Sequence, residues 1–67
     1  MTSNEIKSTV YNAIEALQNA KPGRGDLAYR AAQRKLGNDL LASLPAKWYR
    51  KLGKDGDAIA ASLADVA

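Results

Sequence analysis

Residues 2–20, TSNEIKSTVYNAIEALQNA, contain the most regular pattern in the chain and decide the fold class. Thr2 is followed three residues later by Glu5, which is typical of a capping box at a helix start. Apolar residues then recur at helical spacing: Ile6, Val10, Ala13, Ile14 and Leu17. Pro22 ends the pattern, because proline disfavours helix in the residue before it. The pattern predicts a helix over residues 3–20.

Residues 26–36 predict a second helix, which runs from Leu27 to Leu36 and has Asp26 as its N-cap. We expect its apolar side to face the core, and this side carries Ala28, Tyr29, Ala32 and Leu36. The opposite side carries Asp26, Arg30, Gln33 and Arg34. Asp26 and Arg30 are four residues apart and can form an ion pair there.

Gly37 leaves two interpretations of residues 26–44 open. As a left-handed C-cap it would end the second helix, and Asn38 would start a third, short helix with Leu40, Leu41 and Leu44. Alternatively, one helix runs straight through Gly37, since Leu36, Leu40 and Leu44 stay in phase. A glycine inside a helix costs only about 1 kcal/mol, so packing can override the break.

Residues 45–66 predict two more short helices. Four residues share the spacing i, i+3, i+4, i+7 of a helix face: Pro45, Trp48, Tyr49 and Leu52. Gly53 would end that helix, and residues 54–57 would form a turn with Asp57 as the next cap. A last helix over 58–66 presents Ile59, Leu63 and Val66. The sequence therefore predicts one all-α domain over residues 1–67, an orthogonal bundle of four or five short helices.

Composition excludes several classes of function. The chain has 67 residues, 46% of them hydrophobic, and contains neither cysteine nor histidine. Catalytic triads, Cys/His nucleophiles and zinc sites are therefore excluded, and no two carboxylates have a spacing that suggests shared acid–base work. We expect a protein that is not an enzyme and that uses neither cofactor nor metal. No apolar stretch approaches the about 20 residues that span a bilayer, and no secretory signal is recognisable, so we expect no membrane partner and a cytoplasmic location.

Charge is strongly segregated along the chain, whose net charge is +3. Residues 1–20 carry −1, residues 21–54 carry +7 and residues 55–67 carry −3. Within the basic middle, four cations repeat helical spacing beside the apolar stripe: Lys47, Arg50, Lys51 and Lys54. The pattern predicts a helix that packs on the core with one face and presents cations on another.

A cationic helix face is suited to polyanions, because each neutralised phosphate releases condensed counterions. We therefore expect nucleic acid, DNA rather than RNA, to bind at Lys47, Arg50, Lys51 and Lys54. Arg30, Gln33 and Arg34 are candidates for groove contacts, since arginine and glutamine read guanine and adenine edges. A glycine turn before a later basic helix loosely resembles a helix-turn-helix regulator. The fit has a defect, because residues 38–44 intervene where a turn of about 3–4 residues is expected.

Two further interpretations stay open. Basic stripes opposite apolar ones are commonly ordinary solvated helix faces. Trp48 and Tyr49 are adjacent and diverge by about 100° on a helix, so we expect Trp48 to pack on the core and Tyr49 to lie at its edge. Exposed aromatics beside Arg50 are typical of protein interfaces. The alternative function is therefore an adaptor or inhibitor that binds a protein partner around Trp48 and Tyr49. A homodimer is also expected to relieve the shortage of core.

Overall fold

The computed structural model describes residues 1–66, and every regular element in that range is helical. It contains three α-helices and one 3₁₀ helix: α1 (Ser3–Asn19), α2 (Leu27–Ala42), the 3₁₀ helix (Trp48–Leu52) and α3 (Lys54–Val66). The predicted all-α class is confirmed. The prediction of four or five helices is wrong, since residues 1–66 contain three α-helices and only a short 3₁₀ helix besides them. None of these helices is both long enough and apolar enough to cross a bilayer.

α1 forms where the sequence predicts it. Thr2 and Glu5 make a complete capping box, in which the Glu5 amide donates to Thr2 Oγ1 at 3.2 Å and the Thr2 amide donates to Glu5 Oε1 at 2.9 Å. The helix ends at Asn19, one residue before the predicted end at Ala20. Its apolar stripe is buried as predicted, with Ile6, Val10 and Ala13 fully inaccessible to solvent.

α1 is the central element of the fold. α2 packs against α1 alone among the described elements, whereas α3 packs on both α1 and the 3₁₀ helix. The main core joins α1 to this second group, and its buried members are Ile6, Val10, Ile14, Leu52 and Ile59. Leu44, Trp48, Leu63 and Val66 pack around that cluster and are partly buried. The core therefore lies between α1 and the C-terminal third of the chain.

α2 is one continuous helix, so the interpretation with a break at Gly37 is wrong and the single-helix alternative is correct. Gly37 is buried against α1, where a Cβ atom would lie 2.8 Å from Leu17 Cγ and 3.3 Å from the Ala13 carbonyl oxygen. The glycine thus permits close approach of two helices. In the first half of α2, Asn19 Nδ2 donates to Gln33 Oε1 at 3.5 Å, whereas the later Gly37 meets the earlier Leu17, so α1 and α2 run antiparallel.

The orientation of α2 also differs from the prediction. The side expected to face the core is exposed, with Tyr29 at 44% and Leu36 at 47% relative accessibility, and Ala28 and Ala32 are exposed as well. The closest approach to α1 is at Gly37, because only a residue without a side chain lets the two backbones meet there. That contact sets the rotation of α2 about its axis. The helical spacing of the apolar residues alone therefore predicts the wrong face of α2 to be buried.

The predicted turn at residues 54–57 is wrong, since α3 begins at Lys54. The bend falls instead at Gly53, whose φ of 61° is a left-handed conformation that favours glycine. Gly56 is buried in the first turn of α3, and a Cβ atom on it would collide with the Tyr49 carbonyl oxygen. Its missing side chain allows α3 to pack directly on the backbone of the 3₁₀ helix.

Candidate nucleic-acid interface

The basic segment does not form the predicted α-helical stripe. Lys47 precedes the 3₁₀ helix in a left-handed conformation (φ 56°, ψ 36°), and its carbonyl accepts from the Arg50 amide at 3.0 Å. Lys54 lies beyond the Gly53 bend and belongs to α3. The four cations are therefore carried by three pieces of backbone, and the prediction of one continuous helix face is wrong.

The short 3₁₀ helix nevertheless directs Arg50 away from the core. With three residues per turn, successive side chains are about 120° apart around the axis. Trp48 and Leu52 both contact the core cluster, which places Arg50 on the opposite side of the axis. Lys51, like Arg50, is exposed. The 3₁₀ helix thus packs on the core through Trp48 and Leu52. Its two cations, Arg50 and Lys51, remain in solvent.

We use the name basic cluster for Lys47, Arg50, Lys51 and Lys54, all of which are exposed. Within residues 1–66 the ion pairs are Lys7–Asp55 at 2.9 Å and Lys35–Asp39 at 3.1 Å, and neither involves the basic cluster. Asp55 belongs to the negatively charged C-terminal segment, but it pairs with Lys7 of α1 and not with the basic cluster. No carboxylate within residues 1–66 therefore forms an ion pair with a member of the basic cluster.

The segment is positioned by contacts with the N-terminal end of α1. Ser3 Oγ donates to the Lys51 carbonyl oxygen at 3.3 Å, and Lys7 Nζ contacts Asp55 Oδ2. The hydrogen bond from Lys7 to Asp55 raises the pKa of the Lys7 ammonium group, and the nearby negative charge adds to this effect. Both contacts join residues 48 positions apart. No spacing rule in the sequence points to these two contacts, so Ser3 and Lys7 are not among the predicted site residues.

The two adjacent aromatics occupy the places that the sequence predicts. Trp48 is half-buried and packs on the core cluster, while Tyr49 is 39% exposed. Their rings meet edge to face, with centroids 5.8 Å apart and planes at 77°. The Tyr49 ring is thus braced by Trp48 beside the exposed Arg50, where it can offer a partly accessible aromatic surface.

The predicted groove-contact residues of α2 are only partly available. Gln33 is half-buried, and its amide oxygen accepts from Asn19. Arg30 is also half-buried, and its Nε donates to the Asp26 carbonyl oxygen at 3.4 Å. Arg34 is exposed. Arg30 and Gln33 are expected on the solvated side, but both are half-buried, and Gln33 faces Asn19 of α1.

The two groups of predicted site residues lie at different ends of the molecule. Gln33 meets the C-terminal end of α1 at Asn19, whereas the 3₁₀ helix meets its N-terminal end at Ser3. At 1.5 Å per residue these two ends of α1 are about 24 Å apart. The 3₁₀ segment that carries Arg50 and Lys51 therefore lies at the opposite end of α1 from Gln33, so the two groups of predicted site residues do not form one surface.

Comparison of the chain with protein families, curated proteins and solved structures found no match. Its function is therefore inferred from the arrangement of its own residues.

Proposed function

We propose that this is a non-enzymatic nucleic-acid-binding protein of the cytoplasm that holds phosphates with Lys47, Arg50, Lys51 and Lys54. The observation that carries the proposal is that these four side chains are exposed and lack an acidic partner within residues 1–66. Lys47 supports it further, since a non-glycine residue in the left-handed region is strained by about 1–2 kcal/mol. Such strain often accompanies functional sites.

The mode of binding differs from a helix-turn-helix regulator. That motif needs a turn before a separate recognition helix, and α2 continues through Gly37 where the turn was expected. A five-residue 3₁₀ helix is only about 10 Å long and offers few side chains for reading base edges. We expect contacts to phosphates with little sequence preference, and duplex DNA is the first ligand to test.

The test is binding of a labelled DNA duplex, measured by fluorescence anisotropy across a range of salt concentrations. Up to four phosphate contacts predict that log affinity falls against log salt with a slope of about −3 to −4. Reversing three charges in K47E/R50E/K51E is expected to abolish binding, because like charges then face the phosphates. Circular dichroism should show an unchanged helical signal, since all three side chains are exposed.

A matched control separates a local site from overall charge. The triple variant K21E/R24E/R34E changes the net charge equally and also alters exposed residues, but none of them lies in the basic cluster. It is expected to keep most of the affinity. An equal loss of DNA affinity in both triple variants would show that net charge alone accounts for the binding. The absence of binding to duplex DNA or RNA at low salt would refute the proposal.

The second candidate function is an adaptor or inhibitor that binds a protein partner around Trp48 and Tyr49. It is favoured by the partial exposure of Tyr49 next to Arg50. The substitution Tyr49→Ala distinguishes the two functions, because binding through phosphates should fall only slightly while a protein interface should lose a hot spot. The homodimer stays a prediction, and sedimentation equilibrium over a range of protein concentrations tests it.

A further inference from the structure

A second surface lies between α2 and the loop that joins it to α1. It is an open groove of about 640 Å³, whose apolar lining includes Ala20, Pro22, Leu27 and Ala31. Its polar lining residues are Arg30, Arg34, Lys35, Asn38 and Asp39. The groove is at the C-terminal end of α1, and no residue of the basic cluster lines it.

The floor of the groove exposes apolar surface that the domain does not cover. Leu27 is 76% exposed, the highest value among the large hydrophobic residues of the described chain. Ala31 follows one helical turn later and is also exposed. Burying a leucine side chain contributes about 1.5–3 kcal/mol, so a partner that covers Leu27 would gain from it.

The rim of the groove is positive. Three cations line it against one carboxylate, Asp39, which is already paired with Lys35. Arg34 is exposed, and it takes part in no ion pair among residues 1–66. Arginine binds carboxylates through two parallel hydrogen bonds, which makes Arg34 suited to an acidic side chain.

From this pairing of an apolar floor and a cationic rim we infer that the groove binds an acidic amphipathic helix of a protein partner. Leucine-like side chains on one face of that helix cover Leu27 and Ala31, and flanking carboxylates meet Arg34 and Arg30. A helix with apolar residues at i, i+3, i+4 and i+7 is the usual occupant of such a groove.

Nucleic acid fits this groove less well than it fits the basic cluster. No aromatic side chain is among the described residues that line the groove, so unpaired bases have no ring to stack on. The inference does not depend on the proposed function, because the two surfaces share no residue.

The test uses a designed, fluorescein-labelled peptide of about 18 residues, with leucines at helical spacing on one face and glutamates beside them. Binding is measured by fluorescence anisotropy and by ¹H–¹⁵N chemical-shift mapping. We expect a dissociation constant of about 100 μM or tighter, with the shifts centred on Leu27, Ala31 and Arg34. A peptide of the same composition in scrambled order should bind at least about tenfold more weakly, because its leucines no longer share a face.

Two substitutions with matched controls test the residues themselves. Leu27→Ala is expected to weaken the peptide about tenfold, whereas Leu36→Ala, an exposed leucine outside the groove, should have no effect. Arg34→Glu should weaken it by at least about tenfold, and Arg24→Glu, an equal charge change in the loop, by much less. All four positions are exposed, so the variants should stay folded.

Several outcomes would overturn the inference. These are no chemical-shift change at about 1 mM peptide, equal binding of the scrambled peptide, or equal losses from Leu27→Ala and Leu36→Ala. A DNA or RNA oligonucleotide that shifts Leu27 and Ala31, and whose binding Arg34→Glu removes while the peptide fails to bind, would assign the groove to nucleic acid instead.

Discussion

The two groups of elements that pack on opposite parts of the core contain different kinds of close glycine contact. On the side of the 3₁₀ helix and α3, Gly56 lies under the backbone carbonyl of Tyr49, next to the core cluster. On the side of α2, Gly37 lies mainly against the side chain of Leu17. A carbonyl held in a helix cannot rotate away, whereas a leucine can shift by a few tenths of an ångström. The first contact should therefore tolerate a methyl group much less than the second.

The largest effect is expected for Gly56→Ala. The new Cβ atom would collide with the Tyr49 carbonyl oxygen, so α3 must move away from the 3₁₀ helix. We expect a loss of about 3 kcal/mol or more in the free energy of unfolding, measured by urea denaturation with circular dichroism. Gly53→Ala is the control, because its Cβ meets no atom within 4 Å, and only the backbone strain of a non-glycine residue at φ 61° and ψ −132°, about 1–3 kcal/mol, applies. Equal losses in the two variants would show that crowding at Gly56 is unimportant.

A smaller loss is expected for Gly37→Ala. Alanine should raise helix stability by about 1 kcal/mol, but its Cβ would lie 2.8 Å from Leu17 Cγ, and overpacking costs typically about 1–3 kcal/mol. We expect a net loss of about 1 kcal/mol in the same urea measurement. Ala32→Gly, at an exposed position of α2, measures the propensity term alone. A stabilised Gly37→Ala variant would contradict the close approach of α1 and α2.

The smallest effect concerns pH at the N-terminal end of α1. Hydrogen bonds from Thr2 lower the pKa of the Glu5 carboxyl from its ordinary 4.5. A lowered pKa in the folded state means that the charged capping box stabilises the fold above about pH 4.5 and loses this contribution as the pH falls through the folded value. The difference in melting temperature between the wild type and Glu5→Gln should therefore grow as the pH rises from about 3 to about 5 and then stay constant up to neutrality. A difference that is constant from pH 3 to pH 7 would disagree with this linkage.

Local sequence signals predicted the starts of α1 and α2 well. The Thr2–Glu5 box and the Asp26 cap, whose Oδ1 accepts from the Tyr29 amide at 2.7 Å, both form as expected. These signals work because the interacting groups are three residues apart and need no distant partner. These signals do not settle two glycines: a break and a continuous helix both fit the sequence at Gly37, and the turn predicted around Gly56 is wrong. Gly37 admits Leu17 of α1, which is remote along the chain, whereas Gly56 admits the Tyr49 carbonyl of the neighbouring 3₁₀ helix.

The candidate site was predicted in composition but not in geometry. All four members of the basic cluster are exposed as expected, and Trp48 packs on the core. The α-helical spacing that suggested one stripe does not apply, because residues 48–52 form a 3₁₀ helix and Gly53 separates Lys54 from it. No sequence pattern predicts that Leu27, at the start of α2, is exposed, because its exposure depends on how α2 packs on α1.

The sequence by itself determined an all-helical chain, the amphipathic α1, the helix caps and the concentration of positive charge in the middle. These features depend on neighbours within about one helical turn, whose contacts are present in any fold of the chain. Only the tertiary structure decided that α2 is continuous, which of its faces meets α1, and that two cationic surfaces lie at opposite ends of α1. Those outcomes depend on steric fit between backbones far apart in sequence, which residue spacing does not record.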